Sequence, residues 1–343
     1  MKGLRIVLLG FMMFALLPVS AQDIHFSQHY ASPATLNPAL TGKHNGVFRV
    51  AANYRSQWFS IPGAQPYETF SGSFDAALLR NRFDFDRLGI GVMVFQDKSG
   101  NGELTNLTGM LSLAYHKTLD PYGRHTISAG FQGGIVQKRI DFTKLTFEEQ
   151  FDQELGFDVT AFNGENVAQT SIWYPDFSAG AFLTSAFSEN AGFYAGFAFH
   201  HLSEPKESFL VQVDQENRLE SRITAHGGFI IKLSEYISLN PGALFMTQAS
   251  ARTTTAGVTL GVELSDNAEI FFGGWYRVQQ SDALIAMAGV EISGLQIGLS
   301  YDINMSDLKA VSNGNGAFEV SVVYIFGKED PRKISPVKFC PRF

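Results

Sequence analysis

From Phe48 onward, apolar and polar residues alternate with a period of two. Between Phe48 and Trp58 one face reads Phe48, Val50, Ala52, Tyr54 and Trp58, and the other reads Arg49, Asn53, Arg55 and Gln57. The pattern recurs at Leu107–Lys117, Ile127–Gln137, Ile223–Leu233, Thr253–Leu264, Gly294–Asn304 and Phe318–Phe326. Successive side chains of a strand point to opposite sides, so each segment carries one apolar and one polar face. Leu88–Phe95 and Ala283–Val290 are apolar on both faces. There Gly89, Gly91 and the bounding turn residues favour strand over helix.

Fourteen strands are predicted, over roughly 47–59, 66–79, 87–96, 104–118, 125–138, 176–187, 191–202, 219–233, 236–248, 253–264, 267–278, 282–292, 294–303 and 316–326. The connections sort by parity. Those after even strands are short or modest, such as 188–190, 234–235 and 265–266, whereas 139–175, 203–218 and 304–315 all follow odd strands. Transmembrane barrels have an even strand number, short periplasmic turns and longer outer loops. A soluble sandwich gives loop length no reason to follow parity. Strands this long also exceed the usual ~5–6 residues of soluble sheets and suit a tilted membrane crossing. Aromatics near strand ends, among them Trp58, Tyr115, Tyr236, Tyr276 and Tyr324, fit interfacial girdles. The expected fold is therefore all-β, a transmembrane antiparallel β-barrel of about 14 strands with short periplasmic turns and longer extracellular loops. Lipid leaves no strand edge unpaired, so the first and last strands are expected to pair.

Composition agrees with this and narrows the compartment. Charged residues are 17 % of the chain, below the ~25 % of ordinary soluble proteins. Glycine is abundant at 33 of 343, and 31 of the aromatic residues are Phe. Lys2 and Arg5, the apolar stretch Ile6–Leu17 and the small residues of Val19-Ser20-Ala21 form a signal peptide over 1–21, with cleavage expected near Ala21-Gln22. Twelve apolar residues are too few to span a bilayer as a helix, and no later apolar run approaches that length. Without Lys2 and Arg5 the net charge moves from −7 to 24 − 33 = −9, and basic runs are absent, so nucleic acid is not an expected partner. Cys340 is the one cysteine, so no intrachain disulfide forms.

Three segments lie outside the predicted barrel 47–326. Residues 22–46, with Ser32-Pro33, Asn37-Pro38 and Thr41-Gly42, lack alternation and precede the first strand. They are expected to start in the periplasm and either plug the lumen or merely lead into it. Residues 327–343 carry Lys328, Arg332, Lys333, Lys338 and Arg342 and form a basic periplasmic tail. The connection 139–175 holds Glu148, Glu149, Asp152, Glu154 and Asp158. Connections of this length are usually functional or disordered, and this one is read as either a partner-binding loop or a solvated acidic loop.

No Gly-x-Ser-x-Gly, His-Glu-x-x-His, P-loop or Cys-x-x-Cys is present, so no catalytic residue, cofactor site or metal site is assigned. His200 and His201 would face opposite sides of a strand, and His25 and His29 could chelate only on a helix. The acidic connection lacks the spacing of a calcium loop. Arg49, Arg55, Arg222, Lys232, Glu263, Arg277, Asp302 and Glu319 fall on the polar, lumenal face. These charges either pair and close the lumen or form a selective constriction.

Several blocks carry a family resemblance. Gln22-Asp23-Ile24-His25-Phe26-Ser27-Gln28, Leu36-Asn37-Pro38-Ala39, Thr41-Gly42 and Tyr54-Arg55-Ser56-Gln57-Trp58 resemble the N-terminus and first strand of the PorP/SprF family. Asp97-Lys98-Ser99-Gly100, Pro175-Asp176-Phe177, His201-Leu202-Ser203-Glu204-Pro205, Ser300-Tyr301-Asp302 and Phe318-Glu319-Val320 are similar to its later blocks. Segment 139–175 does not align to the family pattern. The resemblance implies an outer-membrane barrel of a type IX secretion or gliding system. Its partners would be other type IX components and a cognate secreted, adhesin-like protein engaged through that protein's C-terminal domain. On this reading Asn37, Pro38, Tyr54, Arg55, Trp58, Tyr301 and Asp302 are structural, and the outer connections meet the partner. The alternative is an outer-membrane channel for small or hydrophobic solutes, with 22–46 as its hatch; a membrane hydrolase ranks third.

Overall fold

The computed structural model describes residues 23–78, 86–152, 156–158, 161, 169–209, 218–278, 283–306 and 309–327. The signal peptide, the basic tail beyond 327 and Glu154 lie outside the described residues. Fourteen strands form one closed antiparallel barrel. They are β1 (Phe48–Gln57), β2 (Tyr67–Leu78), β3 (Arg87–Ser99), β4 (Leu104–Thr118), β5 (His125–Arg139), β6 (Ser171–Ala186) and β7 (Ala191–His200), followed by β8 (Arg222–Lys232), β9 (Ile237–Gln248), β10 (Ala251–Ser265), β11 (Ala268–Val278), β12 (Ala283–Ile292), β13 (Leu295–Asn304) and β14 (Asn315–Phe326). Each strand pairs with its sequence neighbours. The seam joins β1 to β14 in continuous register from Phe48↔Phe326 to Gln57↔Ala317. The sheet thus has no free edge, which is what a lipid environment demands of strands. No described helix is long and apolar enough to cross a membrane.

Strand boundaries follow the predicted ones closely except at β6. It begins at Ser171, because Ile172 and Tyr174 continue the inward alternation across Pro175 and Trp173 points outward. The connections after odd strands include 140–170, 201–221 and 305–314, while those after even strands, such as 187–190, 266–267 and 293–294, are tight. Loop length therefore identifies the rim at the ends of odd strands as the outer one.

The two faces of the barrel are inverted relative to a soluble protein. Val50, Phe74, Val92, Leu111, Phe131, Leu299 and Val322 point outward and are exposed, while Asn53, Ser71, Thr108, Ser112, Gln132 and Ser321 point inward and are buried. An apolar exterior around a polar interior is the arrangement of a barrel in lipid. β3 and β12 read as apolar on both faces for a local reason. Inward-facing Met93, Ile285 and Met287 pack in clusters that also take up Ala34 or Tyr30 of the N-terminal segment.

That segment occupies the lumen. Residues 23–46 thread along the barrel axis in short helical turns, His29–Ala31, Pro33–Leu36 and Pro38–Leu40. Phe26, Gln28, Asn37, Ala39 and Leu40 are all buried. The expectation that it starts at the periplasmic rim is corrected. Asp23 lies at the outer rim against Gln248, and Gly42 lies at the inner end against Asp75, so the chain descends before entering β1. Sequence order fixes only where the segment ends, and not from which side it enters.

Close approach of the segment to the wall depends on glycine. A methyl group on Gly130 would lie 2.4 Å from the Pro38 carbonyl carbon and 2.5 Å from the Ala39 nitrogen, and one on Gly180 would lie 2.0 Å from Asn37 Oδ1. The Pro38 and Ala39 atoms are backbone and have no rotamer through which to yield. Gly130→Ala is therefore expected to lower stability by about 1–3 kcal/mol, the usual cost of overpacking. Gly109→Ala, at a position with open space around it, should be neutral. Thermal unfolding in detergent, followed by the heat-modifiable gel shift, checks both.

Candidate functional site

The polar face of the barrel meets the lumenal segment at three levels. Near the inner rim, Arg49 reaches Asp75 through two contacts, Nε to Oδ1 and Nη2 to Oδ2, both 2.9 Å. The same pair grips backbone: Arg49 Nη2 donates to Leu40 O at 3.0 Å, and Gly42 N donates to Asp75 Oδ2 at 2.6 Å. His116, on β4, bridges Ser128 Oγ at 2.7 Å and Thr41 O at 2.8 Å. Just above, Asn37 is extended, as a residue before proline is biased to be, and its Oδ1 accepts from Ala39 N to cap the turn Pro38–Leu40. Its amide nitrogen donates to Ala181 O at 3.0 Å, tying the turn to β6.

In the outer half, four charged residues converge on Ser27. Arg55 (β1), Arg277 (β11), Asp302 (β13) and Glu319 (β14) are each no more than 3 % exposed. Arg55 Nη2 and Arg277 Nη2 reach Asp302 Oδ2 at 2.9 and 2.8 Å, and Arg55 Nη1 reaches Glu319 Oε2 at 3.2 Å. The Ser27 hydroxyl donates to Asp302 Oδ1 at 2.7 Å and accepts from both guanidinium groups at 2.8 Å. One donor and two acceptor sites are all a hydroxyl has, so each is used. Glu319 accepts from Ser27 N at 2.8 Å and Gln28 N at 2.9 Å. Two cations and two anions cancel, and the segment adds its own hydroxyl and amides to the network, while Arg277 Nε has no hydrogen-bond partner among the described residues. No group of three metal-ligating side chains occurs among the described residues.

At the outer rim, Asp23 pairs with Nε2 of His201, and Nδ1 of His201 lies 2.8 Å from Asp176 Oδ2. Arg222 Nη1 lies 3.3 Å from Asp23 Oδ2, and Asp23 N donates to Gln248 Oε1 at 3.0 Å. Burial disfavours a charged His201, but Asp23 and Asp176 outweigh it and push its pKa up to about 9. Burial likewise opposes ionisation of Asp23, yet His201 and Arg222 hold its carboxyl well below the ordinary carboxylate range. The rim is closed further by the long connections themselves. Lys138 Nζ reaches Glu207 Oε2 at 2.6 Å, Tyr174 also bonds Glu207, and Phe209 packs edge-on to Phe142 at 6.3 Å.

The residues singled out in the sequence take several different places. Asn37 and Pro38 belong to the lumenal segment, and Arg55 and Asp302 hold it. Tyr54, Trp58 and Tyr301 do not contact it in this way: Tyr54 OH donates to Glu68 outside the barrel, Trp58 packs on Tyr67 at 4.9 Å, and Tyr301 OH donates to Asn315 at 2.5 Å. Glu148, Glu149, Asp152 and Asp158 are exposed on the connection 140–170, remote from the lumen. Arg49, Arg222, Arg277 and Glu319 are lumenal as expected, whereas Lys232 and Glu263 lie exposed at strand ends near the inner rim. The rim group of Asp23, Asp176, His201 and Gln248 was not singled out as a site. Its members sit in three family-like blocks and one strand end; strand pairing gathers Asp176, His201 and Gln248 at one rim, and the threading direction adds Asp23.

The comparisons with known proteins bear on this geometry. A family model described as "Type IX secretion system membrane protein PorP/SprF" matches residues 19–324. The chain belongs to this family. Its match includes the lumenal segment and every barrel strand but the last two residues of β14. Comparison with the curated proteins finds no match. Among solved structures, the barrel is similar to the Ralstonia pickettii toluene transporter TbuX, with TM-score 0.52, 11 % identity, and 85 % of this chain and 92 % of that one covered. It is also similar to the Pseudomonas putida toluene transporter TodX (0.50, 10 %, 89 % and 94 %) and to the CymD monoaromatic hydrocarbon channel (0.50, 10 %, 87 % and 93 %). At these identities the likeness is one of fold. Family and fold together make the chain an outer-membrane β-barrel of type IX secretion.

Two predictions follow from the contacts. Asp302→Asn leaves Arg55 and Arg277 without their shared counter-ion in a buried site, and is expected to cost about 3–5 kcal/mol in chemical unfolding. The rim attachment should also titrate. The His201 contribution is fully present below its ordinary value of 6.5 and is lost as pH rises through about 9. The Asp23 contribution is present above 3.8 and is lost only on acidification toward its depressed value. Amide exchange of residues 23–27, corrected for its intrinsic pH dependence, should therefore accelerate as pH passes about 9. His201→Gln should remove that step.

Proposed function

We propose that this barrel is an outer-membrane partner that supports export or surface anchoring of a cognate secreted, adhesin-like protein. The partner is engaged through its C-terminal domain at the outer rim, by 139–175 together with 203–218 and 304–315. The observation that carries this reading is the filled lumen. The segment 23–46 is clamped to the wall at three levels, and a cavity between it and β1–β4, lined by Thr41, Arg49, Asp75 and Ser112, is about 10 Å³, the space of a single water. On this reading a barrel filled in this way offers a partner its rim and not a passage. Family membership supports a role beside the type IX components. On this reading the N-terminal residues 1–21 are removed as a signal peptide and residues 327–343 form a periplasmic tail.

The second reading takes its support from the fold shared with hydrocarbon channels, and treats the lumenal segment as a hatch for small or hydrophobic solutes. It requires the segment to leave the two guanidinium groups and two carboxylates that it now helps to satisfy.

The test is purification of the tagged protein from native outer membranes in mild detergent, with mass spectrometry of what is retained. A large secreted protein in fixed ratio, together with type IX components, is the expected result. Deletion of 147–158 should abolish its retention while the barrel still shows its heat-modifiable shift. Wild-type retention by that deletion would overturn the assignment to the outer rim. A barrel recovered alone that conducts in planar bilayers would favour the channel.

A further inference from the structure

The connection 140–170 is built to present one small apolar surface. Its tip is a two-residue ladder in which Phe151 pairs directly with Phe157, and Asp152 with Gly156. Buried Gln150 fixes the base of the tip: its side chain accepts from Phe147 N at 3.1 Å and donates to Ala161 O at 3.0 Å, and its carbonyl accepts from Asp158 N at 2.8 Å. Directly opposed residues of a ladder share a face, so the two rings meet edge to face at 5.0 Å. They remain 52 % and 55 % exposed. The other described aromatics of this connection are used internally, since Phe142 stacks on Phe147 at 6.5 Å and also meets Phe209. Among the described residues, no other ring contact covers the Phe151–Phe157 face, and the Gln150 bonds hold its base.

Charge around the tip selects the occupant. Glu148, Glu149, Asp152 and Asp158 are all exposed. Lys144 is the one cation among the described residues of this connection, and it is paired with Glu103 at 2.6 Å. Anionic lipid surfaces attract basic segments and repel acidic ones, so this tip is a poor lipid anchor. A protein surface with an apolar cleft edged by lysine and arginine satisfies both features. Preordered aromatics that enter such a cleft are typical of the few residues that dominate an interface.

We propose that Phe151 and Phe157 form an aromatic anchor that docks into an apolar cleft rimmed by basic side chains on the secreted partner. This rests on the reading that the outer rim receives that partner. It adds that the anchor is the ring pair and that the carboxylates orient it.

The experiment replaces Phe157 with the photoreactive p-benzoylphenylalanine and irradiates intact cells. The barrel is then purified and the cross-linked peptide sequenced. An adduct on the protein retained by the wild-type barrel, within a few residues of lysine or arginine, is expected. An adduct on lipid, on another part of the barrel or on an acidic protein surface overturns the proposal. In parallel, Phe151→Ser/Phe157→Ser and Glu148→Lys/Glu149→Lys should each lower partner retention about tenfold or more. Both pairs are exposed, and the heat-modifiable shift verifies that the barrel is intact. If the wild type and the Phe double variant retain the partner equally, the anchor is wrong and the rim reading stands. If the wild type retains no secreted protein, the rim reading falls and the anchor with it.

Discussion

The structure depends on a requirement that buried charge be matched. Arg55, Arg277, Asp302 and Glu319 come from four strands and meet in a lumen that excludes solvent almost entirely. An ion in such a place costs several kcal/mol unless its counter-charge and hydrogen bonds are supplied. Strands alone supply the counter-charges. The remaining bonds come from Ser27 and Gln28, whose hydroxyl and amide groups complete the carboxylates of Asp302 and Glu319. The barrel wall and the segment inside it are therefore one electrostatic unit.

The same requirement accounts for the composition. A segment with many backbone groups must find partners for them when it runs buried through a barrel, because an unpaired buried backbone group is costly. Arg49, Asp75, His116 and Asn37 serve this purpose in the inner half, and each needs the segment close to the wall. Closeness requires the absence of side chains opposite, as at Gly130 and Gly180. Part of the high glycine content and the polar character of the inward face thus have a common origin. The outward face answers to lipid alone and is free to be apolar throughout.

Much of this was legible in the sequence. Alternation placed Arg55, Arg277, Asp302 and Glu319 on one face, and closure required the first and last strands to pair; the register that sets Arg55 directly opposite Glu319 is visible only in the structure. The parity of the long connections identified the outer rim. Other features depended on information that periodicity does not carry. The direction in which 23–46 threads the barrel is set by contacts far apart in sequence, so Asp23 could not be placed beside His201 and Gln248. The start of β6 was displaced because Pro175 interrupts an alternation that the strand tolerates. Lys232 and Glu263 keep the lumenal period but lie at strand ends, where the barrel wall no longer encloses them.

The balance of forces also bears on where the molecule can change. Moving the lumenal segment would separate Ser27 and Gln28 from a cluster whose members are too buried for water to replace them, and would expose the clusters around Tyr30 and Ala34. The outer rim is held differently. Asp23 and His201 are partly open to solvent, and the long connections are held by a few contacts near the surface, among them Lys138 with Glu207 and Phe142 with Phe209. Pairs of this kind are weak where water can compete for them. On the proposed reading, rearrangement on meeting the partner falls in the rim, above the more deeply buried contacts of the lumenal segment. A barrel fold shared at 10–11 % identity does not by itself carry a function, because function resides in the site built on the fold.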